Sequence, residues 1–391
     1  MTRLSDSPFF APLTLGGLTI RNRAVRAGCF EGMSTGGQVT PKLIEHHRRV
    51  AAGGAGMTTL SYCSVSYDGR AFGHELWMRP EILPGLRDFT QAVHREGAAA
   101  SIQLGHCGFF ASPRVIGRRP LGASRKLCLF RMSYCNRMTE DDIAEKTSDF
   151  VGAALLAREA GFDAVEIHAG HGYLLSQFLS PWTNRRADAY GGSLDKRCRF
   201  AAQVVGRVRA ALGPDFPVLV KMNLRDGMPG GLELDEAVQV ARVFETAGAT
   251  ALVPSCGFTA ATPLFMLRGG RPVIDMARAQ KSFFYKIGLA GFGWMMVQRY
   301  DFEPLFLLEA ARKVRNAVHI PVGYIGGAFS MQHLDSLVDE GFAFVQMGRS
   351  FIRDPDFVNR LRAAEIEESD CDHCNRCVAA MSADGVACLC P

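Results

Sequence analysis

Residues 166–200 read EIHAGHGYLLSQFLSPWTNRRADAYGGSLDKRCRF, and this stretch decides the fold of the chain. It opens as a short apolar strand, breaks at Gly170 and Gly172, continues as an apolar segment and then reaches a YGGS turn. A strand followed at once by a glycine-rich turn is typical of parallel α/β folds. In those folds, side chains at the carboxyl end of a strand project into a pocket.

His168, His171 and Tyr173 cluster in this turn. Two imidazoles and a phenol can hold a substrate oxygen on which negative charge develops, and they can deliver a proton close by. The residues alone leave two other interpretations open, namely a zinc-binding histidine pair and a buried aromatic turn without chemistry.

The rest of the chain alternates short apolar runs with helical patterns, which favours a parallel (β/α)8 TIM barrel. The predicted strands are 24–28, 57–62, 98–104, 164–168, 217–222, 251–254, 321–325 and 344–347. The predicted helices are 41–52, 81–96, 139–160, 194–212, 232–247, 303–314, 331–340 and 356–364. An N-terminal hairpin is predicted at 13–23. A doubly wound sheet is the alternative, although no dinucleotide fingerprint follows the first strand.

Length, charge and the N-terminus narrow the class of protein. The chain has 391 residues, enough for one large barrel with an extra segment, and its net charge of +5 is too small to indicate nucleic-acid binding. The first residues, MTRLSDSPFFAPL, lack the apolar core of a signal peptide, so a cytoplasmic location is expected. The sequence leaves the oligomeric state open, a homo-oligomer included.

Lys221 stands in the middle of the apolar run VLVKM, at the end of the fifth predicted strand. A buried lysine without a partner is costly, so this position requires an anionic neighbour. The residues therefore predict an anionic neighbour close to Lys221.

Three motifs, H-A-x-H-G-Y-L, Q-F-L-S-P and N-x-R-x-D-x-Y-G-G-S, follow one another between residues 168 and 193. On these motifs the chain resembles the old yellow enzyme family of FMN-dependent ene-reductases, in its bacterial branch related to 2,4-dienoyl-CoA reductase and trimethylamine dehydrogenase. The resemblance implies an FMN-binding TIM barrel over residues 1–364, with NAD(P)H as reductant. It also implies that His168 and His171 hold a substrate carbonyl oxygen while Tyr173 donates a proton.

The resemblance further implies which residues hold the FMN. Relatives run the segment after the first strand along the flavin, use a glutamine on the third strand for its pyrimidine edge, and place a cation near N1. Glycines after the last two strands surround the phosphate, where backbone N–H groups can approach. The positions implied in this chain are Ala27, Gly28, Cys29, Gln103, Lys221, Gly326, Gly327, Gly348 and Arg349. For Cys29, a small buried residue without a cofactor contact is an equal alternative.

Residues 259–304, after the sixth predicted strand, are irregular and rich in aromatic side chains. Structureless loops of this length are uncommon in compact domains and tend to be functional. We predict an inserted lid that shapes an apolar substrate pocket. A subunit contact and membrane-surface association are the alternatives. The apolar run 283–297 is too short to span a bilayer, and membrane contact is not expected.

Residues 365–391 form a cysteine-rich tail. Cys371, Cys374, Cys377 and Cys388 have the spacing of a four-thiolate metal site. The tail resembles the [4Fe–4S] motif of dienoyl-CoA reductase and trimethylamine dehydrogenase, which favours an iron–sulfur cluster over zinc. Zinc also fits four thiolates, and a metal-free tail is a further alternative.

These features together predict an FMN-dependent oxidoreductase. It would pass hydride from NAD(P)H to the C=C bond of a small apolar α,β-unsaturated carbonyl compound. The main alternative is an iron–sulfur flavoprotein dehydrogenase or demethylase that exchanges electrons through the tail. A flavin-binding interaction protein without turnover is the third hypothesis.

Overall fold

Eight parallel strand positions form a ring in the computed structural model, which describes residues 7–279, 283–381, 383 and 385–390. The barrel strands are β1 (Ala24–Arg26), β2 (Met57–Ser64), β3 (Ala99–Gly105), β4 (Ala164–Ala169), β5 (Val218–Asn223), β6 (Ala251–Ser255), the extended segment 321–325 as β7, and β8 (Val345–Met347). Parallel pairing runs in the order β6-β5-β4-β3-β2-β1-β8. Parts of two predicted segments lie outside the described residues, namely 280–282 of the insertion and 382, 384 and 391 of the tail.

β7 closes the ring through single bridges rather than a continuous ladder. On one side, the Leu252 N–H donates to the Pro321 carbonyl at 3.0 Å. On the other side, the Tyr324 N–H donates to the Phe344 carbonyl at 2.8 Å. The chain therefore forms the predicted TIM barrel, with its seventh strand reduced to isolated pairs.

Helices cover the outside of the barrel between successive strands. The helices that follow β1 to β8 are α1 (Pro41–Ala52), α2 (Leu83–Arg95), α3 (Glu140–Glu159), α4 (Leu194–Leu212), α5 (Leu234–Thr246), α6 (Leu308–Arg315), α7 (Met331–Asp339) and α8 (Phe357–Arg362), with α6 placed after the insertion that follows β6. α3 begins with a capping box, because the Thr139 side chain accepts from the Asp142 N–H and the Asp142 side chain accepts from the Thr139 N–H. Shorter elements are the helices Pro113–Ile116, Leu174–Leu179, Val273–Arg278, Phe283–Met296, Arg349–Arg353 and Arg376–Ala380, and the strand pieces Leu76–Trp77, Leu121–Gly122, Leu127–Cys128, Ser133–Tyr134 and Asn136–Arg137.

The barrel interior changes from apolar to polar along the strands. The predicted hairpin, Leu13–Leu15 with Leu18–Ile20, packs against the barrel interior at the amino-terminal ends of the strands. The apolar cluster that includes this hairpin contains Leu15, Ile20, Ala164, Leu219 and Phe344. Two residues further along the same strands stand Glu166, Lys221 and Gln346, all buried. Because strand side chains alternate between faces, these three polar groups also point inward, one layer closer to the carboxyl end.

The insertion after β6 contains more regular structure than the sequence indicates. Helices Val273–Arg278 and Phe283–Met296 pack against each other within residues 259–304. The longer helix carries apolar residues around its circumference and three glycines, so no helical periodicity marks it. It leaves Phe292 and Trp294 exposed. None of the helices in the described part of the chain is long and apolar enough to cross a membrane.

Candidate active site

The turn after β4 gathers His168, His171 and Tyr173 at the carboxyl end of the barrel. The centroid of the His168 ring lies 4.9 Å from that of His171 and 4.8 Å from that of Tyr173, and both ring pairs are nearly perpendicular. His171 adopts a φ of 57°, a left-handed conformation that costs energy for a residue with a side chain. Its N–H donates to Asn223 Oδ1 at 2.9 Å, so β5 holds the turn in this shape.

Both histidines are neutral at physiological pH. Burial lowers the pKa of His168 well below its usual range and lowers that of His171 to about 3; the charge of Lys221 adds to both effects. His168 Nδ1 accepts from the Gly170 N–H at 3.3 Å, so the ring hydrogen is on Nε2. His171 Nε2 lies 2.8 Å from Ser255 Oγ, and a hydroxyl that donates there leaves the hydrogen on Nδ1. Each ring can then donate one hydrogen bond.

Tyr173 keeps its phenolic proton at neutral pH. Burial raises the pKa of this phenol above its usual range, and the nearby Cys107 and Glu75 reinforce the shift. Its ring stacks on that of Tyr62, with centroids 5.3 Å apart. The phenol is therefore protonated at neutral pH, and its ring contacts that of His168.

An apolar wall surrounds these three residues, and the sequence did not reveal its composition. Tyr62 contacts Cys107 Sγ through its hydroxyl, and both belong to a buried cluster with Tyr173 packed against it. Tyr62 lies where the pairing of β2 with β3 shifts register between Leu60 and Cys63, an irregularity that re-aims side chains. A tyrosine within an apolar run carries no sequence signal for such a shift.

Further aromatic side chains complete this wall. The same cluster contains Phe109, Phe110, Phe258, Phe30, Phe72 and Trp182. We call this set, together with Tyr62 and Tyr173, the aromatic wall. Phe258 and Trp182 pack edge to face at 5.2 Å, so the wall is a continuous surface. It suits an apolar substrate.

The buried polar layer below the turn is centred on Glu166. Glu166 Oε1 lies 2.9 Å from Lys221 Nζ and accepts from Gln103 Nε2 at 2.6 Å. Glu166 Oε2 accepts from Gln346 Nε2 at 2.7 Å. Glu166 is the anionic neighbour that the buried Lys221 requires. The sequence carried a signal for it, because Glu166 interrupts an apolar strand two residues before His168 and must share its inward face.

Gly28 and Gly348, two of the predicted cofactor-binding positions, lie where neighbouring side chains come close to the backbone. A Cβ on Gly28 would stand 2.9 Å from Gln103 Nε2, and one on Gly348 would stand 2.8 Å from Cys29 Sγ. At these separations an added Cβ would force the neighbouring side chain to shift, so the β1 and β8 ends are closely packed. Ala27, just before this segment, is buried.

The loop after β7 depends on glycine for its backbone conformation. Gly326 and Gly327 have φ values of 133° and 79°. Both values lie in the region that residues with side chains rarely adopt. Such a turn can expose successive N–H groups, as an anion site requires.

Arg349 connects the β8 loop with the insertion and the tail. Its Nη1 donates to the Arg268 carbonyl at 2.8 Å and to Asn375 Oδ1 at 3.0 Å. Burial lowers the pKa of the Arg349 guanidinium, although it stays charged. The guanidinium is thus held in place by two neighbouring segments.

The tail brings together a different set of donors from the four predicted cysteines. Cys374 Sγ lies 3.3 Å from Cys390 Sγ, and Asp372 Oδ2 lies 3.6 Å from Cys390 Sγ. Among the described residues this trio forms a close group of candidate metal ligands. Cys388 instead approaches Arg353, whose Nη1 lies 3.7 Å from its sulfur, while Cys371 and Cys377 fall outside the trio. Spacing alone does not distinguish Cys388 from Cys390.

Comparisons with known proteins agree with this geometry. Residues 8–255 match the model of the NADH:flavin oxidoreductase / NADH oxidase family. A 4,4'-dithiodibutanoate disulfide reductase of Rhodococcus erythropolis is 39% identical over 379 residues, which cover 97% of this chain and 94% of that protein. A metal reductase of Desulforamulus reducens is 32% identical over 372 residues, 95% of this chain, and the chain spans about half of its length, 51%.

Solved structures share the fold at low sequence identity. 2-Naphthoyl-CoA reductase superposes with a TM-score of 0.80 at 22% identity, over 96% of this chain and 58% of that one. An old yellow enzyme homologue from Zymomonas mobilis superposes with a TM-score of 0.74 at 22% identity, over 93% of this chain and 94% of that one. The chain therefore belongs to the NADH:flavin oxidoreductase / NADH oxidase family, which includes the old yellow enzymes, and is an NAD(P)H-dependent flavin oxidoreductase.

Proposed function

We propose that this enzyme reduces the C=C bond of an apolar α,β-unsaturated carbonyl compound. The observation that carries the proposal is the cluster of two neutral imidazoles and one protonated phenol. In it the centroid of the His168 ring lies 4.9 Å from that of His171 and 4.8 Å from that of Tyr173. Reduction of such an alkene places negative charge on the carbonyl oxygen and requires a proton at the α-carbon. This set of side chains supplies both functions.

The residues around the turn fit an FMN. Lys221 Nζ has Glu166 as its ionic contact and no aligned hydrogen-bond partner, and Gln346 Oε1 also lacks one among the described residues. Orphaned buried groups of this kind suit the acceptors and donors of a flavin pyrimidine ring. We infer that Gln103 and Lys221 hold that ring and that the β7 and β8 loops hold the phosphate, at the residues named from the sequence. Bound FMN would accept hydride from NAD(P)H and pass it to the substrate.

The side chains of the turn then divide the remaining chemistry. His168 donates from Nε2, and His171 donates from Nδ1 when the Ser255 hydroxyl donates to its Nε2. Together the two imidazoles hold the substrate oxygen as its charge grows. Tyr173 gives its proton to the α-carbon. The aromatic wall packs against the apolar part of the substrate and excludes water, which strengthens each of these hydrogen bonds.

Separate measurement of the two half-reactions tests the proposal. The purified enzyme with FMN is reduced anaerobically by NADPH or NADH and then mixed with either 2-cyclohexenone or 4,4'-dithiodibutanoate. The disulfide is included because a relative is named for its reduction. We expect the enone to reoxidise the flavin at least about tenfold faster than the disulfide does. Rapid reoxidation by the disulfide with none by the enone would overturn the proposal.

The tail supports a second candidate, an iron–sulfur flavoprotein that exchanges electrons with an external partner. The contact of Cys374 with Cys390, beside Asp372, brings donors together in the way that a metal site requires. Cys371, Cys377 and Cys388 lie in the same segment and are the remaining thiolates available to a cluster or to zinc. Iron and zinc analysis of protein purified without oxygen tests this candidate. Metal-free protein with full activity would remove it.

A further inference from the structure

Glu166 has a separate set of partners for each carboxylate oxygen. Oε1 accepts a hydrogen bond from Gln103 Nε2 at 2.6 Å and lies 2.9 Å from Lys221 Nζ. Oε2 accepts a hydrogen bond from Gln346 Nε2 at 2.7 Å. These three partners come from β3, β5 and β8, and all four side chains are at most 2% exposed. One residue on β4 thus connects the inward faces of three other strands.

A carboxylate only accepts hydrogen bonds, and this decides how the two amides point. Gln103 and Gln346 must each turn the NH2 group toward Glu166. Their carbonyl oxygens are then directed elsewhere: that of Gln103 accepts from Ser61 Oγ at 3.3 Å, and that of Gln346 has no partner among the described residues. Glu166 therefore determines which end of each amide is available to a ligand.

The same carboxylate compensates the charge of Lys221. The ammonium is fully buried, so solvent screens it little, and Glu166 is the anion beside it. A cation near the flavin pyrimidine stabilises negative charge on the reduced ring. A neighbouring anion opposes that stabilisation.

We propose that Glu166 is a positioning residue that sets the reduction potential of the bound FMN, through the charge of Lys221 and the orientation of Gln103. This inference rests on the use of FMN in the proposed function. In the absence of the carboxylate charge, Lys221 interacts more strongly with the reduced flavin, so the potential rises. Glu166 would thus keep the flavin reducing enough to transfer electrons onward.

The test compares Glu166→Gln with the wild type in the FMN-loaded enzyme. Glu166→Gln preserves the shape of the side chain and removes its negative charge. Midpoint potentials are measured by anaerobic dye titration. We expect Glu166→Gln to favour the reduced flavin by about tenfold relative to the wild type, a shift of about +30 mV for a two-electron couple. An unchanged or lowered potential in Glu166→Gln would overturn the inference.

A double variant tests whether Glu166 acts through Lys221. In a Lys221→Met background the ammonium that Glu166 compensates is absent. Glu166→Gln should then shift the potential less, relative to Lys221→Met alone, than it does in the presence of Lys221. A shift of equal size in both backgrounds would refute the role of Lys221. These measurements use no substrate, so inactivity toward enones would fail the proposed function and leave this inference standing.

Discussion

Replacement of Tyr173 by phenylalanine removes one hydroxyl and keeps the ring. The ring stacks on Tyr62 at 5.3 Å and meets His168 at 4.8 Å, so phenylalanine preserves the packing of the pocket. Burial raises the pKa of the phenol above its usual range, which keeps the proton on Tyr173 until the substrate takes it. A positioned general acid contributes about 10²- to 10⁴-fold to a rate. We therefore expect flavin reoxidation by an enone to slow by that factor in Tyr173→Phe. This corresponds to an increase of about 3–5 kcal/mol in the activation barrier of that step.

Stopped-flow absorbance of the flavin, recorded anaerobically, separates this step from reduction by NADPH. Reduction requires no proton from Tyr173, so its rate should stay within about threefold of the wild type. Tyr62→Phe is the matched control, because it removes a hydroxyl from the stacked neighbour and leaves Tyr173 intact. Its reoxidation rate should change less than about tenfold. Equal losses in the two variants, or full activity in Tyr173→Phe, would refute the assignment of the proton donor.

Three further predictions concern the tail, the pH dependence of stability and a helix cap. In protein purified without oxygen, Cys390→Ser should lose bound iron or zinc and Cys388→Ser should retain most of it, because Cys390 contacts Cys374. Loss of metal in Cys388→Ser and its retention in Cys390→Ser would contradict this prediction. Burial raises the pKa of Glu75 from 4.5 to about 8, so between these two pH values the folded state binds more protons than the unfolded state. The free energy of unfolding therefore falls as the pH rises from 4.5 to about 8, with a limiting slope of about 1.4 kcal/mol per pH unit. Urea unfolding at about pH 6 and pH 9 should show a flatter dependence for Glu75→Gln than for the wild type. Thr139→Ala should lower the unfolding free energy by about 1 kcal/mol, since it removes a helix cap, and an unchanged urea midpoint would exclude that contribution.

Local patterns were enough to predict most of the barrel. α1 and α4 have the boundaries that their apolar periodicity predicts, and β4 and β5 agree with their predicted ranges to within a residue at each end. The exceptions have physical causes. β7 lies in its predicted range but pairs through single bridges rather than a ladder. Helix Phe283–Met296 is apolar all round, so it has no periodic signal.

Sequence by itself determined the fold class, the turn that carries His168 and Tyr173, and the need for an anion beside Lys221. These follow from local chemistry, since alternation, glycine turns and the cost of a buried charge are all properties of short segments. Tertiary structure alone decided which residues meet across strands. Glu166 and Gln346 are 180 residues apart, and their contact depends on how eight strands close into a ring. Pairing across a barrel depends on the register of every strand between the partners, which no single segment encodes.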